Sequence, residues 1–227
     1  MPRSTQASSP SRSDRPIAPR VPDQLPQVDL ASITTGEWDG VELTGELPDD
    51  FDEPLLLTEV RVCQASLVGA RLEGSRFVDV AVVASELSGV DLQETSLTRV
   101  SFGDCRLSGA LLAQMRMRDV RFVDSRLEDV NVAMTTGERV RFETCRLQRA
   151  DFRAAQFEAV AWWDCDLTDA EFSQVRIVRA QLHGSTLEGL RGGVDLQPVG
   201  IDAAQFPVIA EHLLATMGIK VSERDET

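Results

Sequence analysis

The chain has 227 residues and a formal net charge of −14, from 37 acids against 23 bases. It is long enough to bury its own core, and that charge excludes direct nucleic-acid binding, which draws on clustered Lys and Arg, and disfavours an acidic partner. Four cysteines form no secreted disulfide framework, two histidines and no tyrosine leave few acid-base groups, and no run of eighteen apolar residues is present to cross a membrane.

The expectation is therefore a soluble cytoplasmic protein that is not an enzyme, holds no cofactor or metal and makes no membrane contact. Its first twenty residues, MPRSTQASSPSRSDRPIAPR, lack the apolar core of a signal peptide. Residues 1–35 read as a disordered Pro/Ser-rich tail. Residues 36–56 read as an N-terminal cap, with Trp38, Val41 and Leu43 laid over the first repeat to protect its open edge.

From Leu57 a period of five begins, running through Val62, Leu67, Leu72, Phe77 and Val82 to Leu187 without a slip. Of its 27 centres only Gly137 is not a large apolar residue. The position two before each centre is small, as at Ala65, Ser75, Ser85, Cys105 and Ala110. Neither a helix of period 3.6 nor a long strand of period two accommodates that pattern, so the chain turns every five residues. Four such turns close a square coil of twenty, and sorting the centres by twenty supports it: one column reads Leu67, Leu87, Leu107, Leu127, Leu147, Leu167, Leu187, and another Val62, Val82, Phe102, Phe122, Phe142, Trp162, Leu182.

Segments such as A-R-L-E-G at 70–74, C-R-L-S-G at 105–109 and A-D-F-R-A at 150–154 resemble the pentapeptide-repeat family of bacterial proteins. The resemblance implies an all-β fold, a right-handed quadrilateral β-helix over residues 57–190, with large centres on the axis and small residues beneath the corners. It also implies a choice of functions. Some members of that family resemble B-DNA in width and charge, bind DNA gyrase, and inhibit it or protect it from quinolones.

After Leu187 the register fails at Gly192 and Gly193, and residues 191–222 read as a C-terminal cap, with a flexible tail over 223–227. Asp202 and Gln205 form a capping box, and Ile201 with Phe206 a hydrophobic staple, so a helix is expected over about 203–217. Its apolar face would hold Phe206, Ile209, Leu213 and Met217, with Gly218 as the C-terminal cap. That face closes the last coil or forms a homodimer with a second chain, leaving monomer and dimer both open.

Candidate functional residues are sparse. His183 and His212 read as surface residues, and Cys105, Cys145 and Cys165 share one inward column as buried free thiols. Residues 57–187 hold 19 acids against 16 arginines, a net of −3. DNA as long as that stretch, about 31 Å, carries about 18 charges, so the acidity is expected to lie mostly off the rod. The sequence thus favours a non-enzymatic scaffold for protein–protein interaction with an unidentified partner, and gyrase-directed DNA mimicry is the alternative. Val83, Val123 and Trp163, with Ala81 and Ala161 beside them, form a candidate interaction strip. Asp104, Arg106, Asp124, Arg126 and Arg146 read as a charge-paired corner. Gly137 breaks the axial ladder, either by a bulge at 134–137 or by a void that Met117 narrows. The void is favoured, and a leucine there would then stabilise by about 1–2 kcal/mol.

Overall fold

A computed structural model describes residues 14–192, 196 and 199–216, without the side chains of 211–213, 215 and 216. Strands lie at Gln27–Asp29 (β1), Glu37–Asp39 (β2), Glu42–Glu46 (β3), Leu56–Thr58 (β4) and Arg61–Ser66 (β5). Six eight-residue strands follow: Arg76–Val83 (β6), Ser96–Gly103 (β7), Arg116–Val123 (β8), Thr136–Glu143 (β9), Gln156–Trp163 (β10) and Arg176–His183 (β11). Val199–Ile201 (β12) and one helix, Phe206–Thr216 (α1), close the order.

All pairings are parallel with β6 to β11 offset by twenty residues, as in Phe77↔Leu97↔Met117. The other two sides are single bridges such as Glu86↔Arg106↔Arg126 and Asp91↔Leu111↔Asn131. The result is a right-handed four-sided β-helix. The turning device is a residue in the left-handed backbone region two places after nearly every centre, Ala159 and Arg179 excepted: Asp79 at φ 56°, Asp104 at 53°, Gly109 at 69°, Gln114 at 58°. That region costs L-residues energy and is eased by Gly, Asn and Asp, which explains the Asp and Gly found at many corners.

The axis is packed by like on like. Phe102 and Phe122 stack at 4.8 Å, Phe122 and Phe142 at 4.9 Å, and Phe142 on Trp162 at 6.2 Å, while Phe152 meets Trp162 edge-on at 5.6 Å. The small position has a second role. Its N–H points inward, and where the next coil supplies a hydroxyl the donor is satisfied. Cys105 N donates to Ser125 Oγ at 3.1 Å, Ala65 N to Ser85 Oγ at 3.1 Å and Cys165 N to Ser185 Oγ at 3.0 Å.

The coil begins earlier than the period of five indicates. β1 pairs with β3 at an offset of fifteen, Gln27↔Glu42, and β3 with β5 at nineteen, Glu42↔Arg61, before a bulge restores twenty at Gly45↔Ala65. Residues 36–56 are therefore coil rather than a separate cap, with Leu43 fully buried and Trp38 and Val41 packed on the core. The disordered tail expected over 1–35 is corrected as well. Leu30 and Ile33, buried in and just after a short 3-10 turn, cover the open end, and residues 14–22 lie along the rod. Residues 1–13 lie outside the described residues.

At the other end Asp202 and Gln205 form the capping box, Asp202 N donating to Gln205 Oε1 at 2.9 Å, ahead of a 3-10 turn at Ala203–Gln205 and α1. The expected staple does not form: Phe206 is 65% exposed, and Val208 and Ile209 face the core instead. The helix starts at Phe206 with Pro207 in its first turn, and of the expected apolar face Ile209 packs on the core while Phe206 does not. Leu213 and His212 as side chains, and Met217, Gly218 and residues 219–227, lie outside the described residues.

Gly137 does not bulge. Met117↔Gly137↔Phe157 stay in register, and the glycine has no positive φ. Nor is there a void for a leucine. A Cβ built there would meet Phe157 Cδ1 at 2.5 Å, Cε1 at 2.7 Å and Val140 Cγ2 at 2.8 Å. The Phe157 ring one coil on fills the space, not Met117.

Candidate interaction surface

Three outward features compete for a role, and each is fixed by its column in the coil. The first is the strip. Val83, Gly103, Val123, Glu143, Trp163 and His183 do share one column, so polar and absent side chains interrupt the apolar ones. Val83 is exposed, Val123, Trp163 and Ala81 are half-buried, and Ala161 is buried. Arg141 lies across Trp163 with its guanidinium carbon 4.0 Å from the ring centroid, and pairs with Glu143 at 3.1 Å. The five residues thus do not form one continuous apolar patch.

The second is the corner. Arg106, Arg126 and Arg146 do stack in one column. Their expected partners are wrong, however: Arg106 meets Glu86 at 3.6 Å, and among the described residues no ion pair reaches Arg126 or Arg146. Asp104 and Asp124 serve the backbone, at φ 53° and 49°. Among the described residues neither aspartate forms an ion pair.

Charge pairing does occur between residues twenty apart, in columns that a sorting of the apolar centres passes over. The densest is the corner Asp79, Arg99, Asp119, Arg139, Ala159, Arg179. Arg99 Nε and Nη2 donate to Asp79 at 2.7 and 2.5 Å, and Arg139 Nε and Nη2 to Asp119 at 2.6 and 2.9 Å. Both aspartate side chains are nearly buried, at 8% and 3% exposure. The Arg99 hydrogen bonds hold the Asp79 carboxyl below its usual range against the opposing effect of burial, helped by a backbone bond from Arg20. For Asp119 burial is the largest influence and pushes upward, but Arg139 and the Ile17 N–H outweigh it and the net shift is down.

The cover over this corner is the segment 14–22. Ile17 N donates to Asp119 Oδ1 at 3.0 Å, Arg20 N to Asp79 Oδ1 at 3.0 Å, and Arg61 Nη2 to the Pro22 carbonyl at 3.1 Å. Asp14 Oδ1 accepts from Arg179 Nε at 3.1 Å. The signal that marks it in the sequence is Pro16, Pro19 and Pro22, one proline every third residue.

The third feature is a groove along the side 76–78 to 176–178, lined by Arg76, Arg116, Arg118 and Arg176 with Met117, Gly137 and Phe157 among its floor residues. Register places Arg76, Ser96, Arg116, Thr136, Gln156 and Arg176 in one row. Arg118 pairs with Glu138 at 2.7 Å, but among the described residues no acid pairs with Arg76, Arg116 or Arg176.

The remaining reactive groups are structural. Burial pushes the Cys105 thiol up to about 11, and the Cys145 hydrogen bond together with burial raises that of Cys165. All four cysteines are free. His183 Nδ1 lies 2.7 Å from Asp202 Oδ1 and Gly184 N donates to Asp202 Oδ2 at 2.6 Å, so these contacts tie the capping box to the last coil. Among the described residues no helix is long and apolar enough to cross a membrane.

Residues 95–172 match a family profile described as a pentapeptide repeat region. No curated protein matches the sequence. Among solved structures, QnrB1, a plasmid-mediated fluoroquinolone resistance protein, is similar at 18% identity and a TM-score of 0.32, covering 83% of this chain and 100% of that one. HetL, involved in heterocyst differentiation regulation in the cyanobacterium Nostoc, is similar at 15% identity and a TM-score of 0.26, covering 69% of this chain and 84% of that one.

Proposed function

We propose that this chain, whose residues 95–172 match a pentapeptide repeat region, is a non-catalytic scaffold docking a protein partner along the 76–178 groove. The observation that carries the reading is the row Arg76, Arg116 and Arg176 along the groove, none of which pairs with an acid among the described residues. Three arginines are too few to hold nucleic acid, but they suit an acidic segment of a protein. The charge of the whole chain opposes such a partner only at long range. Within a screening length of about 8–10 Å the local row governs the contact. The test is affinity capture with the wild type beside an Arg76→Glu/Arg116→Glu/Arg176→Glu variant. A stoichiometric partner retained by the first and lost by the second is expected, and identical capture by both refutes the groove.

One observation favours gyrase-directed mimicry as a second reading. Residues 27–56, which lie on the rod, hold nine acids and no base, so residues 27–187 carry a net of −12 rather than the −3 of 57–187. Eight coils span about 39 Å, a length over which DNA carries about 23 charges, so the match is partial and concentrated at one end. A supercoiling assay with purified gyrase, with and without a quinolone, separates the readings. Little effect at low micromolar protein is expected, and clear inhibition that fades in high salt would reverse the order.

A further inference from the structure

The corner column alternates acid and base from Asp79 to Arg139 and then breaks at Ala159, where an acid would fall. Asp14 stands in at that level. It lines the small pocket bounded by Ala159 and Arg179, and pairs with Arg179, so the strap completes the alternation with its own carboxylate. Its other contacts keep the same step. Ile17 and Arg20 are three residues apart, and the aspartates they reach are 40 residues, or two coils, apart. Two coils rise about 9.6 Å, so the strap advances about 3.2 Å per residue, the rise of a polyproline II helix. Pro16, Pro19 and Pro22 hold φ where that helix requires it and repeat at its three residues per turn. Each docked N–H belongs to the residue after a proline.

The contacts that hold the strap are polar, and among the described residues they include two backbone donors on carboxylates, the Asp14–Arg179 ion pair and one bond to a carbonyl. Ile17, its largest apolar side chain, is 52% exposed. This is how a peptide ligand sits on a preformed groove, not how a strand is built into a core. We propose that the Asp79–Arg179 corner is a binding groove for extended polyproline II peptides with proline at every third position, and that residues 14–22 occupy it as a dissociable ligand of their own chain.

The magnitudes make exchange feasible. Solvent-exposed polar contacts of this kind give a trans affinity on the order of 100 µM, and a short tether through 23–26 supplies an effective concentration of about 1 mM. The strap is then docked about ten to one, and a competing peptide sees an apparent affinity about tenfold weaker than the groove's own. A partner bearing the same proline spacing would displace it.

The experiment uses the full chain. In Asp14→Ala/Ile17→Pro the ion pair and one donor are lost while every groove residue is kept. A fluorescent peptide of residues 14–22 is titrated against wild type and variant by anisotropy, and trypsin cleavage at Arg20–Val21 reports strap release. The variant is expected to be cut about tenfold faster and to bind the peptide about tenfold more tightly than wild type. Adding Asp119→Asn to that variant should abolish the gain. The proposal is overturned if the variant is cut no faster, because other contacts then hold the strap. It is equally overturned if release brings no peptide binding, or if a scrambled peptide with displaced prolines binds as well.

Discussion

Replacing Gly137 by alanine tests the packing of the axis at its one irregular layer. The added Cβ would sit 2.5 Å from Phe157 Cδ1 and 2.8 Å from Val140 Cγ2, where carbon contacts settle at about 3.5–4.0 Å. The ring must retreat by about 1 Å. It is 2% exposed and wedged edge-on between Phe152 at 6.5 Å and Trp162 at 6.1 Å, so the strain spreads through the aromatic cluster. Overpacking of this kind costs about 1–3 kcal/mol, and stiffening the unfolded chain returns about 0.4–1. The net is a loss of about 1–2 kcal/mol, or about 2–8 °C in Tm for a chain of this size, and Gly137→Leu should lose more. Urea titration of Gly137→Ala, Phe157→Leu and the double variant measures it, with the pair coupled by about 1 kcal/mol because the smaller side chain yields the space. A higher urea midpoint for Gly137→Ala, or simple additivity with Phe157→Leu, would refute the interlock.

Ser125→Ala leaves the buried Cys105 N–H without its acceptor and should cost about 1–3 kcal/mol by thermal melting; an unchanged Tm means the donor finds another partner. Asp79 and Asp119 have folded pKa values below those of the unfolded chain, so their stabilisation is complete above about pH 4 and lost as pH falls through the lower folded values. Asp79→Asn/Asp119→Asn should therefore show a shallower acid-side fall in Tm than the wild type, and parallel curves would exclude the corner as its source. With an aromatic disulfide reagent at pH 8, half-buried Cys63 should react first and Cys105 only on unfolding; equal rates would contradict the burial.

The twenty-residue coil is legible in the sequence because the axis admits one large side chain per side and the offset never changes after Leu57. Upstream the same coil is hidden by a single missing residue. The nineteen-residue offset of β3 to β5 and the bulge at Gly45 throw the phase off, although Leu43 still occupies the axis. Gly137 misleads for a related reason, since a gap in one column says nothing about the height at which the neighbouring ring sits. The corner ladder is missed because its information lies two places beyond each centre, where Asp79 and Arg99 look like ordinary surface charge. The strap is read as disorder because prolines suppress both standard periods, yet at every third position they encode an extended conformation of their own.

The uniform offset of twenty also makes the length of the molecule a variable separate from its architecture. Each coil from β6 to β11 touches only the one before and the one after, and both ends are closed by unrelated segments. In-frame duplication of any twenty residues within that stretch would lengthen the rod by about 4.8 Å while every junction between coils keeps its kind. The strap has no such freedom. Its three-residue step is matched to pairs of coils, so duplication of one coil between Asp79 and Asp119 would carry its two carboxylates out of reach of Ile17 and Arg20, whereas growth beyond Arg179 would leave it in place. Descent by coil duplication is therefore permitted at one end of this rod and penalised along the part the strap spans.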